Sequence, residues 1–326
     1  MAQTDLFRRT PFAAAMDALP VQGLDIGARE GFEPDLLPIA FAVDGVGFEP
    51  EPAAFAQLQG ATGSPWRSLR HLPTAISGHA GPRTLHIAAD PQSSSLLPPV
   101  AATAAAHDHR AWSDIRTTAG VDTETLDGAV VRFGVPAPDF LKLDVEGAEG
   151  EILAAAPIAL ASALAVKVEV SFMPLREGQM AAHAVDRLME EAGFLLMDLI
   201  RPARWRRRAG PVHPQAGRGP VPYSRGGLAH GDHLYFRDPE TLADDGARAL
   251  KAGWIAMAYG YFDHAASLLD RPAAAAALAP HLNGDVAEAL RRASLLYGRR
   301  VWRTALVAQL RGLRPFLRGG AALLRR

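Results

Sequence analysis

Apolar and polar positions along the first two thirds of the chain alternate in blocks that predict strands and helices in turn. Leu24 to Ile26 is a short apolar run that stops at GAREG, and Glu33 to Ala42 is helix-like despite Pro34 and Pro38. Val43 to Phe48 predicts a second strand ending at EPEP, and Ala53 to Gln59 a short helix. Gly60 to Pro99 is richer in Gly, Pro and Ser, and its strand-like patches at Pro73 to Ser77 and Arg83 to Ala88 predict an inserted hairpin. Clearer order returns with DFLKLDV (Asp139 to Val145), a buried strand, followed by AEGEILAAA as a helix and AVKVEVSF as a strand. AAHAVDRLMEEAGF then reads as a helix stopped by Gly193, and LLMDLI as the next strand. Arg201 to Gly231 reads as a long Arg/Gly/Pro loop, and DHLYFRDP as a final antiparallel edge strand.

Strands alternating with helices argue for βαβ units and hence an α/β fold, a doubly wound, Rossmann-like, mostly parallel sheet. Beyond Pro239 the pattern is helical only, with helices predicted at Thr241 to Gly260, Tyr261 to Leu269, Val286 to Tyr297 and Trp302 to Leu317. The expected organisation is an N-terminal extension (1–18), an α/β domain (19–240) and a helical C-terminal region (241–326) with a basic amphipathic tail. The 326 residues suffice for one large core and an appendage.

Hydrophobic residues at 48% and charged residues at 21% are ordinary globular values and exclude a disordered chain. The absence of cysteine excludes disulfides, thiolate metal sites and a cysteine nucleophile. Asp5 and Asp17 interrupt any signal-peptide pattern, and no apolar stretch reaches the length of a membrane span, so a cytoplasmic location is expected. The net charge of -1 conceals an asymmetry. Only Lys142, Lys167 and Lys251 are lysines, whereas Arg291 to Arg326 holds ten arginines and no acid, and a second basic run, RPARWRRRAG, starts at Arg201. In the tail, arginines alternate with Val, Leu, Trp and Phe, which suits an amphipathic helix at an anionic membrane surface, peripheral at the inner membrane face. A solvated basic face or a protein-docking helix fits equally. Nucleic acid is disfavoured as a partner, because the basic runs lack interleaved stacking aromatics beyond Trp205, Trp302 and Phe316.

The chemistry concentrates in two segments. In GLDIGAREG (23–31) a strand runs into a turn framed by Gly27 and Gly31, which can take conformations closed to other residues. The backbone N–H groups of such a turn, including Ala28 and Arg29, can then approach a ligand closely. Glu49 ends the next strand, where an acid can accept hydrogen bonds from both ribose hydroxyls. This describes a nucleoside site. The turn lacks the G-x-G-x-x-G spacing for a pyrophosphate, and Asp25 suits a cationic methionine moiety better than a phosphate, so S-adenosylmethionine is favoured over a nicotinamide. The second segment, FLKLDVEGAEGEIL (140–153), delivers Asp144, Glu146 and Glu149 to the carboxyl edge of the sheet, where ligands of open α/β sheets bind. Glu149 and Glu151 read equally as first-turn helix acids, and Asp144 has a competing role as a helix N-cap. Asp144, Glu146, Glu169 and His233 are the candidates for activating an acceptor hydroxyl. Asp144 with Glu146 and Glu169 offers an alternative as a Mg²⁺ site, which is disfavoured, and no metal is assigned. Ser93 to Ser95 reads as a polar loop before a substrate contact.

The motifs DIGAREG, GFEPEP, SSSLLPP, DFLKLDVEGAEGEIL, VEVSF with the following EGQ, EEAGF and GDHLYF occur in the order seen in the FkbM-type methyltransferase family. The chain resembles that family from Leu19 to Arg237. The resemblance implies a class I methyltransferase type of fold, S-adenosylmethionine as donor, and O-methylation of a sugar, glycan or natural-product hydroxyl. By position it implies that Asp25, Gly27 and Gly31 line the methionine side, Glu49 the ribose and Asp144 the reaction edge. Arg29 departs from the small or amide residue often found there. Two other classes remain as alternatives: a non-catalytic nucleotide-binding protein resting on the glycine turn alone, and a nucleic-acid-binding protein using the arginine clusters.

Overall fold

Strands that are apolar at nearly every position need cover on both faces, and this chain supplies it with helices. The structure, a computed structural model, describes residues 4–107, 110–208 and 226–324; the middle of the Arg/Gly/Pro loop, 209–225, lies outside the described residues. In chain order the strands are β1 (Val21–Ile26), β2 (Val43–Phe48), β3 (Ser68–Leu72), β4 (Ala75–Ile76), β5 (Gly81–Ala88) and β6 (Ile115–Glu124). They continue with β7 (Phe140–Leu143), β8 (Ala165–Ser171), β9 (Phe194–Ile200), β10 (Arg204–Trp205), β11 (Gly227–Leu228) and β12 (His230–Arg237).

Seven of them form one sheet in the order β3-β2-β1-β7-β8-β12-β9. Pairing is parallel from β3 to β8, and β12 runs antiparallel to both of its neighbours. The expected antiparallel strand is therefore real, but it lies inside the sheet, and β9 takes the edge. The reason is apolar character on both faces: Leu234, Tyr235 and Phe236 are all buried.

On one face of the sheet, Leu24, Ile26, Leu141, Leu143, Val166 and Val168 pack with residues of the helices Leu126–Arg132, Glu149–Ala154, Pro157–Ser162 and Ala182–Glu191. On the other, Val21, Val43, Phe140, Leu234 and Phe236 share a core with Phe7, Phe12, Leu36, Ile39 and the C-terminal helices Gly246–Tyr259, Phe262–Leu269 and Pro272–Leu278. Phe12 packs on Trp254 at 5.4 Å between ring centroids, so the first residues and the C-terminal helices close the same core.

The expected hairpin in the insertion is corrected. β5 pairs antiparallel with β6, while β4 pairs parallel with β6 on its other side. β6 has the sequence IRTTAGVDTE, mostly polar and partly exposed, so no apolar signal announces it. A second correction concerns the end of the chain. Two helices were expected, and one continuous helix runs Val286–Leu324. Among the described residues no helix is long and apolar enough to cross a membrane.

Candidate active site

A cavity of about 750 Å³ opens at the carboxyl ends of β1, β2 and β7 and beside β8, with Leu85, Ile87 and Val121 of the inserted sheet in its wall. Strand register sets its chemistry. Asp25, Lys142 and Lys167 are successive partners across β1, β7 and β8, so their side chains rise on the same face. Lys142 Nζ lies 3.0 Å from Asp25 Oδ1 and donates to the Gly27 carbonyl at 3.0 Å. Asp25 is 1% exposed, with the Lys142 ammonium within hydrogen-bond reach of Oδ1 and the Glu33 N–H also turned to the carboxylate. Burial pushes the Asp25 carboxyl up, against the pull of Lys142. Burial alone would depress Lys142, but Asp25 and Asp144 outweigh it and hold the ammonium above the usual lysine range.

Lys167 makes a second charged knot, 2.9 Å from Glu33 Oε2, 2.9 Å from Asp35 and 3.5 Å from Asp232. Arg201 closes it at 2.9 Å from Asp35. Burial raises Glu33 to about 7 in spite of Lys167.

The glycine turn is built differently from the sequence expectation. Gly27 has φ 88°, and a Cβ there would stand 2.0 Å from the Asp144 carbonyl oxygen, so only glycine fits. The Gly27 and Ala28 N–H groups both donate to the Phe48 carbonyl (3.1 and 3.0 Å), and the Gly31 N–H donates to the Ala28 carbonyl (2.9 Å). These amides close the turn and are not offered to a ligand. Ala28 is fully buried and does not line the cavity, whereas Gly27, Arg29 and Gly31 do. Arg29 leans to Glu51 at 3.6 Å. Glu49 lines the cavity as well; its Oε1 accepts from the Glu51 N–H (2.7 Å), and Oε2 has no hydrogen-bond partner among the described residues. Burial raises its carboxyl.

At the other end stand the acids of β7 and β8. The Asp144 side chain is 43% exposed, lies 3.6 Å from Lys142 and faces the cavity. It is not a helix N-cap. The helix begins at Glu149, whose buried carboxylate accepts from the Val145 N–H (2.8 Å) and the Gly147 N–H (2.9 Å) and so holds the turn. Glu146 adopts a left-handed φ of 63° and pairs with Arg176 at 3.2 Å, while its carbonyl accepts from Ser95 Oγ at 2.8 Å. The serine run thereby ties the insertion to this turn. Burial pushes Glu146 and Glu149 up to about 7. Glu169 Oε1 lies 2.6 Å from His230 Nδ1, and burial, reinforced by Asp144, Glu146 and Glu149, drives its carboxyl well above the usual carboxylate range.

Oxygens of Asp144, Glu149 and Glu169 come within 4.8 Å of one another. Glu149 is committed to backbone amides and Glu169 to His230, while Glu146, part of the set weighed from sequence for Mg²⁺, is turned to Arg176. His233 is a correction: it does not line the cavity. Strand alternation sends it to the opposite face, where Nδ1 lies 2.9 Å from Asp186 Oδ1 and 3.0 Å from the Tyr235 hydroxyl. Its neighbour Asp232, the register partner of Glu169, takes the cavity side.

Residues 25–196, more than half of the 326, match the sequence model of the methyltransferase FkbM domain. The chain belongs to the FkbM methyltransferase family. No curated protein is significantly similar to it. Among solved structures it is similar to a TehB-like SAM-dependent methyltransferase from Corynebacterium glutamicum, at 11% identity over 72% of this chain and 89% of that chain, with a TM-score of 0.29. That likeness is too distant to speak for individual residues. Numbered within the sheet, the strand order is 3-2-1-4-5-7-6, the class I methyltransferase type.

Membership implies methyl transfer with S-adenosylmethionine as donor, and the residues present fit that donor. The Asp25 carboxylate, beside Lys142 on the cavity wall, has lone pairs left for an ammonium, and the oxygen of Glu49 without a partner among the described residues matches a ribose hydroxyl. Sequence reasoning missed Lys142, Lys167, Asp232 and Arg201. The first two had a signal: LKL and VKV each place one of the chain's three lysines inside an apolar strand.

Proposed function

We propose that this FkbM methyltransferase binds S-adenosylmethionine between Asp25 and Glu49 and methylates a hydroxyl of a neutral, polyhydroxylated small molecule or glycan. The observation that carries this reading is the acidic excess of the cavity: nine carboxylate residues line it against four basic ones. A phosphate or carboxylate acceptor would meet repulsion there, whereas sugar hydroxyls donate to carboxylates.

When bound, the donor supplies an electrophilic methyl group on a positively charged sulfur. Asp25 accepts from its ammonium and Glu49 from its ribose hydroxyls. Glu169 takes the proton of the acceptor hydroxyl, because a carboxyl raised by burial is a stronger base than an exposed one. His230, 2.6 Å from Glu169, orients it and shares that proton. Asp144, exposed at the mouth, orients the acceptor. Proton removal and positioning suffice for a reaction whose electrophile is already activated.

The test is transfer of isotopically labelled methyl from S-adenosylmethionine to panels of neutral glycosides, phosphorylated sugars and amines. Label on oxygen of neutral glycosides, lost in Glu169→Gln, is the expected result. Label confined to amines or to anionic acceptors overturns the reading.

A further inference from the structure

Past Arg300 the C-terminal helix leaves the body of the protein. Its first turns are packed, with Ala289, Leu290 and Ala293 buried and Tyr297 against Phe7 and Phe262. From Val301 to Leu313 every residue except Gly312 is exposed, and so is Leu317. The stretch Val301–Leu324 spans about 36 Å at the α-helical rise.

That exposed stretch has a pattern. Trp302, Leu306, Leu310, Leu313 and Leu317 recur at helical spacing, all on one side, and each is between 43% and 64% exposed. Arg303 borders this stripe, and Arg311 lies toward the opposite face of the helix. Glu288 is the last acid of the chain, and ten arginines follow it. We infer that Val301–Leu324 is an interfacial anchor for an anionic lipid bilayer. The apolar stripe sinks into the headgroup boundary while the arginines meet lipid phosphates and acidic headgroups. Pairing with a second copy of the helix would cover the stripe but bring arginine rows together with no acid to offset them. A nucleic acid would satisfy the arginines and leave the stripe in water. A charged bilayer surface answers both features.

The experiment uses the full chain with vesicles of phosphatidylcholine alone or mixed with phosphatidylserine. Trp302 is exposed and Trp66, Trp112, Trp205 and Trp254 are buried, so a blue shift of tryptophan emission reports insertion of the tail. Expected is co-sedimentation with the phosphatidylserine vesicles and a blue shift, both weakening as salt rises. Replacing Leu306, Leu310 and Leu313 by Ser, or Arg299, Arg303 and Arg311 by Gln, should weaken association by about tenfold or more, with methyl transfer in solution unchanged. No association at low salt, or association indifferent to both sets of changes, overturns the proposal. So does a dimer, seen by sedimentation velocity without lipid, that the leucine changes abolish: the stripe would then belong to a second copy.

Discussion

At the β1–β2 end of the cavity Asp25 and Glu49 stand apart, each at the end of its own strand, Asp25 beside Lys142 and Glu49 with one oxygen that has no partner among the described residues. Burial raises the carboxyls of Asp25 and Glu49 as well, but at the β7–β8 end Asp144, Glu146, Glu149 and Glu169 crowd together, and the neighbouring acids add to burial in raising Glu169. Isolated acids with spare acceptor atoms make a binding site. Crowded acids that resist ionisation make a place to move a proton. On the proposed reading one sheet edge carries two functions, separated by how densely its strand ends are charged, and Gly27 joins them where it approaches the Asp144 carbonyl.

The largest break in that arrangement is Gly27→Ala. A positive φ and a Cβ at 2.0 Å from backbone leave no room, so unfolding stability should fall by about 3 kcal/mol or more. A thermal melt close to that of the parent would mean the two ends are not rigidly joined.

Glu169→Gln should act on one end only. Turnover is expected to drop by about 100-fold while donor affinity is unchanged. Because the carboxyl is raised from 4.5, kcat/KM in the parent should rise with pH as that proton leaves, and the variant should lose this limb. Equal losses in donor binding and turnover would erase the distinction between the ends.

Glu49→Ala makes the reciprocal cut. Donor binding should weaken by about 1.5 to 3 kcal/mol, with the acceptor KM unmoved, as measured by calorimetry and steady-state kinetics. Asp144→Asn is milder: about tenfold in turnover, or about 1.4 kcal/mol, with an unchanged melting temperature because its side chain is 43% exposed.

A pH slope in stability is also expected. Glu146 and Glu149 are raised from 4.5 to about 7, so the folded protein holds their protons more tightly than the unfolded chain. The stability this gives is complete below about pH 4.5 and is lost as pH climbs through about 7. Glu149→Gln should flatten part of that slope in melting curves.

The β1–β2 end was the more legible from sequence because its parts are local: β1, the glycine turn and the acid ending β2 lie within Val21 to Glu49. Even there, the sequence could not tell that the turn amides are spent on Phe48 and on Ala28. The Lys167 knot is assembled from distant segments, with Asp35 reaching Arg201 and Glu33 reaching Lys167. Parity on β12 was unreadable for a related reason. Leu234 and Phe236 are buried on one face and Tyr235 on the other, so no alternation of apolar and polar residues separates His233 from Asp232. β6 escaped notice because half-exposed polar strands leave little hydrophobic trace.

The central claim is that Asp25 and Glu49 form the seat of an S-adenosyl nucleoside. Titration calorimetry of the full-length protein with S-adenosylmethionine, and separately with NAD, tests it most directly. The account predicts saturable binding of one S-adenosylmethionine per chain and none of NAD. Tight NAD binding with no heat from S-adenosylmethionine would contradict it.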